Sequence, residues 1–211
     1  MKKYLILFTI VLLLALTYLF LRYFKTSNQA GLPQSTPTLT QTTPSPTASP
    51  SLVFPISQFK ERITKKPFGA YITPQNSPVQ PERFIGYHTG VDVEYEEVTT
   101  DVPVYAISDG TIVLAETASG YGGVLMIEIE LDNTPHTVLY GHLRPSSLPK
   151  VGQKVKKGEQ LAVLGTGNSP ETDNERRHLH FAVLSDNRLD IKGYVQTKNE
   201  LAGWLDPLAI F

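Results

Sequence analysis

Five histidines and no cysteine set the chemistry open to this 211-residue chain. Without a thiol there is no thiolate nucleophile, no Cys-based zinc site and no disulfide framework. Imidazoles and carboxylates remain. His178-Leu179-His180 opens an apolar, β-prone run that ends Phe181-Ala-Val-Leu184. In a strand, residues i and i+2 share a face and sit ~6.6 Å apart along it. Two imidazoles then project side by side: one can hold a metal while its neighbour reaches the water activated there. The same alternation also fits two solvent-facing polar residues between core Leu179 and Phe181.

His88-Thr-Gly-Val-Asp92 pairs an imidazole with a carboxylate at i, i+4, and both groups suit zinc. Gly90, Val91 and Val93 argue against the helix that would put them on one face. On a straight strand they would lie ~13 Å apart, too far for one ion. Binding by both needs a bend at Thr89-Gly90, and the glycine permits one. Three protein ligands with a fourth position open is the pattern of a catalytic zinc.

His88-x-x-x-Asp92, Tyr140-Gly-His142-Leu143 and His178-x-His180, in that order, resemble the LytM/lysostaphin-type zinc metallopeptidases, family M23. The resemblance extends to Val102–Val113, Gly120-Tyr-Gly-Gly123 and Val151–Gly165, and covers about residues 84–184. It implies an all-β, mostly antiparallel domain with a zinc site in a groove. It also implies hydrolysis of peptide bonds in bacterial cell-wall peptidoglycan, in stem peptides or cross-bridges. By motif position, His88, Asp92 and His180 would hold one Zn2+ per chain, and His142 and His178 would be the catalytic histidines. His136 matches no motif and reads as a solvated turn residue after Asn133-Thr-Pro135. The approach to the His-x-His pair, Gly167 to Arg177, is longer and more charged than the family's usual turn. Its Arg176 and Arg177 are expected at the rim of the cleft, contacting a substrate carboxylate, with a solvated charged loop as the alternative.

The elements that must position these groups are short. Runs over 90–95, 103–107, 110–116, 123–131, 136–141, 159–164 and 178–184 are β-rich and separated by Gly, Asn, Asp and Pro. Ile127–Leu131 alternates apolar and acidic residues, so one face of that strand meets solvent. The predicted domain spans 52–211, closed by Leu205-Asp-Pro-Leu208. Residues 52–83 either cover the cleft or brace the fold.

Ahead of it, residues 26–51 hold twelve Ser/Thr, five Pro and no charge, and read as a disordered tether. Residues 4–21 carry no charge. As a helix they reach ~27 Å, close to a bilayer's hydrocarbon thickness. The run is longer than a signal-peptide core, and no small-x-small cleavage site follows. The expectation for residues 1–25 is an uncleaved single-pass membrane anchor with the domain on the extracytoplasmic side. Four of the 19 basic residues lie in that stretch, leaving 15 basic and 20 acidic groups beyond it, a net −5. That balance gives no nucleic-acid footprint; oligomeric state is not legible. Two other readings compete: a non-catalytic M23-like cell-wall binding or hydrolase-activating adaptor, which would typically have lost metal ligands, and a biotinyl or lipoyl carrier, whose acceptor lysine setting is missing.

Overall fold

The computed structural model describes residues 52–211. The expected anchor over 4–21 and linker over 26–51 lie outside the described residues. Among the described residues no helix is long and apolar enough to cross a membrane. The domain is built from twelve strands and one four-residue helix, α1 (Lys198–Leu201).

Five strands carry most of the architecture: β3 (Val91–Glu94), β5 (Gly110–Ala118), β6 (Gly122–Leu131), β7 (Thr134–Leu143) and β10 (His178–Leu184). With the short β8 (Lys154–Val155) and β12 (Trp204–Leu205) they form one sheet in the order β12-β10-β7-β6-β5-β8, with β3 also pairing β10. All the pairings are antiparallel. The β6–β7 hairpin closes through Asp132 and Asn133, whose φ angles are 48° and 60°. Two consecutive left-handed residues are what a tight type I′ turn requires, and Asp and Asn tolerate that region better than most residues. A two-stranded sheet pairs β4 (Pro103–Tyr105) with β9 (Gln160–Val163). A three-stranded sheet has the order β1 (Tyr71–Ile72), β2 (Gly86–His88), β11 (Tyr194–Val195).

Alternation along the strands sends side chains into two clusters. Leu125, Ile127, Val138, Tyr140, Leu179, Phe181 and Val183 join the larger core. Val124, Met126, Leu139, Ala182, Leu184 and Trp204 form the smaller one on the opposite face. Glu130 at the far end of β6 is exposed, in keeping with the alternation read there.

The segment before the first strand braces this sheet. Ile56 and Phe59 are core residues, and the Phe59 ring meets Phe181 edge-on at 5.5 Å. The backbone N–H groups of Asp92 and Glu94 donate to the carbonyls of Lys66 (3.1 Å) and Arg62 (3.0 Å). The edge of β3 not facing β10 is thereby covered, which removes an exposed edge beside the site. Lys66 is held in turn by a buried ion pair with Glu82. At the other end of the chain, β12 pairs with the end of β10 and Pro207 is buried, so the C-terminal segment closes the fold as expected.

His136 does not sit in a turn. It lies on β7, part-buried, and its Nδ1–H donates to the Leu184 carbonyl at 2.8 Å. The hairpin turn is two residues long and ends before Thr134, so the residues after Asn133 are already paired.

Candidate metal centre and active site

The bend required between His88 and Asp92 is present. β2 ends at His88 and β3 begins at Val91, with Thr89-Gly90 between them. The Thr89 N–H donates to the Gly193 carbonyl (3.0 Å) and its hydroxyl to the Lys192 carbonyl (2.7 Å), which pins the corner. Gly90 lies against β10 so closely that a Cβ there would be 2.3 Å from the Phe181 carbonyl oxygen. A glycine is needed for that close approach, which brings β3 into register with β10.

Register then sets the chemistry. His180 stands opposite Asp92 on one side and Gly141 on the other. His88 Nε2, Asp92 Oδ1 and His180 Nδ1 converge, with separations of 3.2 Å (His88–Asp92), 3.1 Å (Asp92–His180) and 3.1 Å (His88–His180). All three residues are buried. His88 Nδ1 faces the Pro67 carbonyl at 3.2 Å. A carbonyl can only accept, so that nitrogen carries the proton and Nε2 offers its lone pair to the centre. Two nitrogens and a carboxylate oxygen this close need a cation or a proton between them. The donor set, two imidazoles and one carboxylate, is that of three-ligand catalytic zinc sites, so the residues fit the ion.

His142 and His178 flank this trio, their ring centroids 4.1 Å apart. His142 is the extra residue of a β-bulge: Gly141 pairs with Val124 and Leu143 with Gly123, and His142 takes φ = 61°. A left-handed non-glycine residue in a bulge re-aims one side chain at local cost, a pattern concentrated at functional sites. His142 Nδ1–H donates to the Thr172 carbonyl (3.3 Å), and His178 Nδ1–H to the Arg176 carbonyl (2.9 Å). Each ring is thus fixed at Nδ1, leaving Nε2 to exchange protons. His178 Nε2 is 3.4 Å from Asp92 Oδ2.

Burial keeps both imidazoles neutral. It pushes His142 down to about 3, beyond what the nearby Asp92 carboxylate restores. Burial also drives His178 well below its ordinary value, reinforced by the Arg176 charge. Asp92 is held well below the usual carboxylate range: burial acts to raise it, and the Arg176 guanidinium and the hydrogen bond with His180 act against that.

A cleft of about 350 Å³ opens onto Asp92, His142, His178 and His180. Phe84, Ile85 and Ile191 give it an apolar wall. Tyr121 was not singled out from the sequence. It comes from the Gly120-Tyr-Gly-Gly123 turn, and its ring lies 5.3 Å from His142 and 5.6 Å from His180. Its buried hydroxyl has no partner among the described residues.

Of the two arginines, Arg176 lines this cleft and Arg177 does not. Neither is an exposed rim group: Arg176 and Arg177 are only 6% and 8% exposed. Arg176 is committed to Asp92 and Glu94, and Arg177 Nη1 donates to the Val98 carbonyl. The acidic stretch after Asp92 supplies Glu94 on β3 as a buried counter-charge.

The model of peptidase family M23 matches residues 86–191, from the first residue of β2 to Ile191 in the cleft's apolar wall. The chain belongs to peptidase family M23. An endolysin of Staphylococcus phage 2638A is 36% identical over 113 residues, 52% of this chain and 22% of the phage protein. An uncharacterized metalloprotease of Haemophilus influenzae is 37% identical over 115 residues, 51% of this chain and 22% of that protein. This M23 chain therefore spans about a fifth of the length of either relative. The SpoIIQ–SpoIIIAH pore-forming complex contains a chain that matches with a TM-score of 0.50 at 19% identity, over 78% of this chain and 92% of that one. That likeness concerns the fold alone.

Proposed function

We propose that this M23 chain is a zinc metallo-endopeptidase that hydrolyses peptide bonds in cell-wall peptidoglycan, in stem peptides or cross-bridges. The observation that carries the reading is the convergence of His88 Nε2, Asp92 Oδ1 and His180 Nδ1 within 4.8 Å of one another, with His142 and His178 beside them in one cleft. Zinc held by the three supplies Lewis acidity toward the scissile carbonyl and the attacking water. His142 and His178 are neutral and fixed at Nδ1, so one Nε2 takes the water's proton. Protonated there, that Nε2 then donates to the developing oxyanion or the leaving amine. The apolar wall of Phe84, Ile85 and Ile191 lies along the path of a peptide entering the cleft. Residues 1–51 complete the proposal: an N-terminal membrane anchor and a Ser/Thr/Pro-rich tether that hold residues 52–211 on the extracytoplasmic side, next to the wall.

The test is incubation of the zinc-loaded chain with intact sacculi, followed by mass spectrometry of the released muropeptides. New peptide termini that disappear with a chelator are expected. Unchanged sacculi, or cleavage confined to glycan, would contradict the reading.

A further inference from the structure

We infer that Arg176 is a positioning residue for the metal centre, holding the Asp92 carboxylate so that one oxygen alone faces the two ligand imidazoles. The inference rests on the zinc reading above. Arg176 Nη2 donates to Asp92 Oδ2 at 2.7 Å, while Asp92 Oδ1 points at His88 and His180. The guanidinium is itself clasped from the other side. Its Nε donates to Glu94 Oε2 at 2.9 Å and its Nη2 to Glu94 Oε1 at 2.7 Å. Asp92 and Glu94 are i, i+2 on β3 and share a face, so one planar group spans both carboxylates.

Three features separate this arrangement from a generic surface pair. Arg176 and Glu94 are both buried, where an isolated charge is costly and only a closed network is tolerated. The clasp is two-pronged, which fixes orientation as well as distance. The Arg176 carbonyl also accepts the His178 Nδ1–H, so one residue sets a ligand with its side chain and a candidate base with its backbone. Partners of this kind fix the geometry of ligating groups, and their loss typically costs 10–100-fold in metal affinity.

Removing Arg176 alone would leave buried Glu94 with only the longer Lys65 ion pair at 3.8 Å and confound folding with binding. The informative variant is the pair Arg176→Met with Glu94→Met. It removes one positive and one negative charge, so the net charge of the site is unchanged. Exchange of a buried ion pair for apolar residues of similar size is often neutral for stability. What it takes away is the donor to Asp92 Oδ2. The full-length native chain and the paired variant would be titrated with zinc against a chromophoric chelator, and their melting temperatures recorded. The expected result is a zinc-free paired variant that still unfolds cooperatively, with zinc affinity at least 10-fold weaker than native. Native zinc affinity in a folded paired variant would overturn the positioning role while leaving the zinc site standing. A paired variant that does not fold would overturn it too, making Arg176–Glu94 an element of the fold. Failure of the native chain to take up one zinc would overturn the metal site itself.

Discussion

His180 and Asp92 stand directly opposite each other on the antiparallel strands β10 and β3, and His180 Nδ1 lies 3.1 Å from Asp92 Oδ1. The pair is a product of register. A slip of β10 by one residue against β3 would turn His180 to the other face of the sheet and put Leu179 or Phe181 opposite Asp92. The candidate metal site is therefore as stable as the register of these two strands.

Gly90 guards that register. Gly90→Ala would place a Cβ 2.3 Å from the Phe181 carbonyl and 2.9 Å from the Ala182 Cβ. Both contacts involve β10, which cannot yield without moving His180. A loss of about 1–3 kcal/mol is expected in urea denaturation, together with weaker zinc binding. Native stability and native zinc affinity in Gly90→Ala would show that the close approach is not required.

The brace at Lys66 and Glu82 gives the stability an acid limb. Burial acts to raise Glu82, but hydrogen bonds from Lys66, the Phe84 N–H and Ser77 outweigh it and bring its pKa below the ordinary 4.5. A carboxyl depressed in the folded state contributes stability that is fully present above its unfolded pKa. That contribution is lost as pH falls through the folded value. Melting temperature should therefore fall below about pH 4.5, and Glu82→Gln should flatten that limb relative to the native chain. An identical slope in the variant would remove Glu82 from the account.

Tyr121 offers a substitution that separates packing from polarity. Its ring packs against His142 and His180 while its hydroxyl is buried and unpartnered. Tyr121→Phe keeps the ring and removes an unsatisfied group, so stability should rise by about 1 kcal/mol, read from chemical denaturation. A loss of that size would mean that the hydroxyl has a stabilising partner.

Chelation should destabilise the domain. A ligand that binds only the folded state at 1,000 times its Kd adds about 4 kcal/mol. Stripping zinc with a chelator should lower the melting temperature by several degrees, and stoichiometric zinc should restore it. A melting temperature indifferent to both treatments would mean that no ion is held by the folded chain.

Most of the sheet was legible in the sequence because its strands are long enough to show a period. The runs read at 110–116, 123–131 and 136–141 became β5, β6 and β7, each extended by one to a few residues, and 178–184 became β10 unchanged. The two-residue strands β1, β8, β11 and β12 carry no period and were not foreseen; tertiary pairing alone defines them. The bend between His88 and Asp92 followed from the reach of a strand and the presence of Gly90. Burial of Arg176 did not follow, because its partner Glu94 is 82 positions away in sequence, and local charge density mimics a solvated loop. The left-handed His142 is equally silent in sequence: nothing around Tyr140-Gly-His-Leu143 marks an extra residue until β6 is laid beside it.

The division of labour among the five residues is tested most directly by metal content and turnover measured together on single alanine variants. His88, Asp92 and His180 place their donor atoms on one point, while His142 and His178 present Nε2 beside it. His88→Ala, Asp92→Ala and His180→Ala should lose most of their zinc, since two ligands do not hold the ion. His142→Ala and His178→Ala should keep about one zinc per chain and lose roughly 100-fold or more in kcat on a peptide substrate. His178 and His180 make the sharpest contrast, two residues apart on the same face of β10. The account predicts zinc retained in His178→Ala and lost in His180→Ala; the reverse result would contradict it.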